Sequence, residues 1–75
     1  MSPLLSSPWL EHEFVECYGR WREERSTVHV SYDRWRDAEP DVEPFAYAAY
    51  VAALDREQRA ADVYRECADR FAQRA

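Results

Sequence analysis

Two cysteines, two histidines and one arginine are the residues of this sequence whose chemistry stands out. Cys17 and Cys67 lie 50 positions apart and could form a disulfide or stay as thiols. His12 with Glu16, and His29 with Asp33, have the i,i+4 spacing that places two side chains on one helix face. Helical metal sites use such pairs but need three or four converging ligands. The sequence has no Cys-x-x-Cys, no His-Glu-x-x-His and no Glu-x-x-His pair, so no metal or other cofactor is expected. Gly19 is the single glycine, which leaves no glycine-rich phosphate loop and no Gly-x-Ser-x-Gly nucleophile turn. The carboxylates are interspersed with arginines, as on solvated faces. No catalytic residue is assigned, and the chain is read as a non-enzyme.

These residues must be held by whatever 75 residues can build. That length allows one small domain, 1–75. Hydrophobic residues make up 47% and charged residues 33%, a composition of neither a disordered polyelectrolyte nor a membrane span. One glycine and four prolines provide too few turns for a sandwich or barrel of hairpins. The net charge is −5, from fifteen acids against ten basic residues, all of them arginine. With no basic block to neutralise phosphates, nucleic acid is not an expected partner. The longest apolar run, Phe45 to Leu54, is too short to cross a bilayer. Residues 1–8 carry neither the basic nor the apolar region of a signal peptide, so a cytoplasmic location is expected. In that compartment cysteines stay reduced, and two buried thiols acting as small hydrophobes are the favoured reading of Cys17 and Cys67.

The pattern predicts an all-α fold, an antiparallel two-helix hairpin. Ser6-Ser7-Pro8 reads as a helix start. From there Phe14, Tyr18, Trp21, Arg25, Val28, Tyr32 and Trp35 recur at alternating spacings of four and three, the stripe of a helix lying lengthwise on another. Residues 26–31 are rich in hydroxyl and β-branched side chains, and a kink or break would fall there. The stripe keeps its phase across them, so the first helix is read through, over about 8–38. Pro40, Asp41 and Pro44 punctuate a loop at 39–43. A second helix follows over about 44–74, with a stripe of Tyr50, Leu54, Glu57, Ala61, Tyr64, Ala68 and Phe71. Three i,i+4 ion pairs are expected along the helices: Glu16–Arg20, Asp55–Arg59 and Glu66–Arg70.

A hairpin centred near Asp41 brings Arg25 level with Glu57, and an ion pair across the seam is expected there. It also offsets Cys17 from Cys67 by only about 3 Å along the axis, which keeps a disulfide open. Of the three tryptophans, Trp9, Trp21 and Trp35, core packing is the first reading and partner anchoring the second. The second helix opens apolar on all sides, and one partner helix cannot cover such a surface. Phe45, Tyr47, Tyr50, Val51, Leu54, Trp21 and Trp35 are therefore the expected interface residues. The economical solution is a homodimer, two hairpins forming a four-helix bundle. The alternatives are docking to a different protein, or folding back through a break near Thr27 into a three-helix monomer. Functionally the sequence reads as a non-enzymatic, self-associating interaction module. The second reading is a small acidic regulator occupying a partner protein's surface, such as a basic groove.

Overall fold

The structure, a computed structural model, describes the backbone of residues 8–74 and the side chains of 11–73. Serine caps at 6 and 7 and the Trp9 side chain lie outside the described residues. Two helices make up the fold: α1, Pro8–Arg36, and α2, Glu43–Arg74. They pack antiparallel into a rod of 62 × 14 × 12 Å. Proline at the first position of α1 costs no hydrogen bond, since that N–H has no helical acceptor. Glu11 in the first turn and Arg34 and Arg36 in the last complement the helix dipole. Helix α1 runs unbroken through 26–31, and Thr27 returns its hydroxyl to the Glu23 carbonyl at 3.1 Å.

Helix α1 stops two residues before the expected position 38, and α2 starts one residue before position 44. Backbone bonds close the connection: Val42 and Glu43 both donate to the Glu39 carbonyl, at 3.0 and 2.9 Å. Among the described residues Asp41 makes no side-chain cap. At the end of α1, Arg36 donates to both carboxyl oxygens of Asp37, at 3.1 and 3.3 Å. That hydrogen bond first, and the guanidinium charge second, hold the Asp37 carboxyl below its ordinary range.

The seam is built from alternating large and small layers. Phe14 packs on Phe71, Trp21 stacks on Tyr64, and Trp35 stacks on Tyr50, with ring centroids 5.1, 5.2 and 5.3 Å apart. Each step of seven forward in α1 is thus a step of seven back in α2, and by that register Val28 faces Glu57. Between these layers Cys17 meets Cys67, with Cα atoms 6.7 Å apart. In the same register Glu24 faces Ala60, Ser31 faces Ala53, and Ala38 faces Ala46. Ala53 is fully buried, at 0% exposure. Ala53, Ala60 and Cys67 are the buried apolar residues of the described chain, with Ser31 beside them. Small side chains at every seventh position let the two backbones approach, so the aromatic layers can overlap.

Phe14, Trp21, Val28 and Trp35, with Tyr50, Glu57, Tyr64 and Phe71, lie in the seam as expected, but the alternate members of each stripe are corrected by one position. Cys17, Glu24 and Ser31 line the seam where Tyr18, Arg25 and Tyr32 were expected. Ala53, Ala60 and Cys67 replace Leu54, Ala61 and Ala68. An apolar stripe next to a stripe of small residues is ambiguous in sequence, and close backbone approach decides in favour of the small ones. A bulky residue at a small layer should therefore be costly. Ala53→Leu is expected to lose about 2 kcal/mol by overpacking, a fall in Tm of roughly 10 °C. Ala52→Leu, on the exposed neighbouring position, is expected to stay within about 0.5 kcal/mol of the parent. Thermal melts of the pair check the register, and equal effects would contradict it.

Candidate interaction surface

Helical phase sorts the remaining surface into two unlike flanks. On one flank, α2 exposes Tyr47, Val51 and Leu54, at 47, 44 and 39%, spaced four and three apart. Antiparallel packing brings Tyr18, Arg25 and Tyr32 of α1 to the same side. Tyr32 touches Tyr50 and Trp35 at centroid distances of 5.7 and 6.0 Å. Tyr47 closes on Trp35 at 5.0 Å, and Tyr18 on Tyr64 at 5.6 Å. The result is an aromatic and aliphatic ribbon, its inner rings half-buried and its outer rings exposed, interrupted on α1 by Arg25 between Tyr18 and Tyr32. The opposite flank is polar and cross-linked by charge. Arg56 reaches Glu24 at 3.6 Å, and Arg70 pairs with Glu13 from across the seam.

The expected interface residues divide accordingly. Trp21, Trp35 and Tyr50 spend most of their surface within the seam, where each is half-buried. Phe45 is 75% exposed but stands two positions from Tyr47, about 200° round the helix. It belongs to the turn end of the other flank, so a single flat interface cannot use both. The expected set that shares one open flank is Tyr47, Val51 and Leu54.

No Arg25–Glu57 ion pair is present among the described residues. The seam centres near residue 42 rather than Asp41, which sets Glu57 level with Val28 and Arg25 level with Arg59 and Ala60. Glu57 instead accepts a hydrogen bond from the Trp21 indole N–H at 2.9 Å. The Arg25 guanidinium lies over the same indole ring, 5.0 Å from its centroid. Trp21 therefore stands between the two charges, donating to one and stacking under the other. A double-mutant cycle of Trp21→Phe with Glu57→Gln is expected to give a coupling of about 1 kcal/mol. The corresponding Arg25→Leu cycle with Glu57→Gln is expected to give almost none.

Trp35 makes a parallel contact, donating its indole N–H to Glu43 at the start of α2. Of the three expected i,i+4 ion pairs, Asp55–Arg59 is present. Arg70 turns from Glu66 to Glu13 because the small Cys17–Cys67 layer brings α1 within its reach. These cross-helix contacts went unnoticed in the sequence. The repeat of small residues, Ala46, Ala53, Ala60 and Cys67, is visible in the sequence beside the second stripe, but there it reads as a flank and not as the seam itself.

Cys17 and Cys67 are joined as a disulfide between the two helices, with Cα atoms 6.7 Å apart. The thiol reading favoured from composition is replaced by a covalent tie across a small layer. His12 lies 3.3 Å from Glu16, but among the described residues no three His, Cys, Asp or Glu side chains gather around a common point. No helix of the described residues is long and apolar enough to cross a membrane.

No family model matches the chain, and neither a characterised protein nor a solved structure shows significant similarity to it. The functional reading rests on the surface itself. Among the described residues, the aromatic flank gathers Tyr18, Tyr32, Tyr47, Val51 and Leu54 as exposed large apolar side chains on one side.

Proposed function

We propose that the chain is a non-enzymatic protein–protein interaction module that pairs with a second copy of itself through the aromatic flank. One observation supports this above the rest: Tyr47, Val51 and Leu54 stand exposed on one side of α2, on the flank that also carries the exposed Tyr32 of α1. Scattered exposed apolar residues are ordinary, whereas a rimmed stripe along a helix pair is what a four-helix bundle covers. A self-complementary twofold arrangement would lay each ribbon on its copy, with aromatic side chains at its centre, as in other interface cores. Burying the ribbon would also offset the ordering entropy that so slender a core leaves poorly compensated.

Light scattering and sedimentation equilibrium over a wide concentration range test this reading. A dimer whose mass is indifferent to salt is expected. A chain that stays single at high concentration, and whose capture by a basic partner weakens steeply with salt, would support the acidic-regulator reading instead.

A further inference from the structure

The disulfide lies at the end of the hairpin away from the turn, and its two sulfurs are unequally placed. Cys67 is 4% exposed and sits inside the seam. Cys17 is only half-buried and opens onto a surface groove lined by Glu13, Glu16, Gly19, Arg20 and Val63. Gly19 leaves the outer rim of that groove without a side chain, and nothing lies within 4 Å of where its Cβ would be. Behind Cys67, an Arg70 guanidinium nitrogen stands 3.4 Å from Sγ, with the Glu13 carboxylate 3.7 Å from the same atom. One sulfur is thus reachable from solvent, and the other is hidden beside a cation.

We propose that Cys17 is a site of reversible S-thiolation by low-molecular-weight disulfides, with Cys67 as the resolving cysteine. In the reduced chain the Cys17 thiolate attacks a small disulfide RSSR. One RS⁻ leaves and takes up the proton that Cys17 lost. The Cys67 thiolate then attacks Cys17 Sγ, expels the second RS⁻ and closes the Cys17–Cys67 bond. Two protein thiols and one RSSR become one protein disulfide and two RSH. The two electrons come from the thiols, and the small disulfide is the oxidant. Run backward, two small thiols open the staple by attack at Cys17, because Cys67 is out of reach. Arg70 is a positioning residue here: its charge favours the Cys67 thiolate, against the opposing charge of Glu13. The rim carries Glu16 and Glu23 against Arg20, with Glu13 already paired to Arg70, a small acidic excess that favours a cationic reagent. The chemistry is independent of whether the hairpin is single or paired.

Cystamine added to the reduced full-length chain tests this, with acid quenching and peptide mapping. The early adduct is expected on Cys17, decaying into the intramolecular disulfide without loss of helix. Cys67→Ser should hold the Cys17 adduct indefinitely, and Cys17→Ser should react at Cys67 at least about tenfold more slowly, reflecting burial. In strong denaturant the two rates should converge. Arg70→Gln should lengthen the adduct lifetime about threefold or more and move the pH midpoint of closure upward. Early adduct divided equally between the two cysteines of the folded, unsubstituted chain would overturn the proposal. So would a Cys17 adduct that never closes.

Discussion

Reducing the Cys17–Cys67 bond is expected to lower the unfolding free energy by about 4 kcal/mol, the loop-closure entropy for a sequence separation of 50. That is a large part of the roughly 5–15 kcal/mol that separates ordinary folded domains from their unfolded chains. Little else among the described residues is proof against water. Among them Ala53, Ala60 and Cys67 are the buried apolar ones, and none is large. The loss should also be uneven along the rod. The turn end keeps its chain connection and the Trp35–Tyr50 stack, whereas the far end is held by the staple, Phe14 on Phe71, and the Glu13–Arg70 pair. Hydrogen exchange after reduction should therefore quicken first in residues 11–20 and 64–73, with those near the turn following later. Cys17→Ala with Cys67→Ala should reproduce the effect without reductant. If melts of the double variant and of the reduced chain match that of the oxidised parent, the sulfurs are not bonded in solution.

Much of this architecture was legible in the sequence. The two helices, their proline-bounded connection and their antiparallel order followed from periodicity and breakers alone. Serine at position 31 looked like a weakness, yet it is buried in the seam level with the fully buried Ala53. What periodicity could not fix was the rotation of each helix about its axis. Tyr18 and Cys17, or Leu54 and Ala53, fit a seven-residue repeat equally well. Hydrophobicity favours the larger member, and backbone approach favours the smaller. The second criterion won in both helices, and it turned Leu54 outward. The register slipped for a related reason. Equal arm lengths from Asp41 assume a symmetric turn, but Cys17 facing Cys67 puts the seam's centre at residue 42, so the beginning of α2 lies beyond the end of α1. Arg25 and Glu57 consequently miss each other, and Trp21 takes up both.

Outward rotation of Leu54 makes the remaining expected result a large one. Tyr47→Glu should convert a dimer to single hairpins, raising the dissociation constant by a hundredfold or more, equivalent to about 3 kcal/mol. A twofold interface carries every substitution twice, so one change buries two carboxylates in a largely aromatic contact. Each would cost several kcal/mol to desolvate. Tyr47 also covers Trp35, so the variant could weaken the hairpin itself. Leu54→Glu separates the two effects, since Leu54 enters none of the ring pairs that bind the seam. Val63→Glu is the control. Val63 is exposed to the same degree as Tyr47, at 47% each, but lies on the charged flank. Its mass should match the parent's. The control thus places the same charge at a comparably exposed apolar position on the other flank. Dissociation confined to Tyr47→Glu and Leu54→Glu, with helix content retained, would locate the contact on the aromatic ribbon. Unchanged mass for both would leave that ribbon without a second copy and transfer its coverage to a different protein.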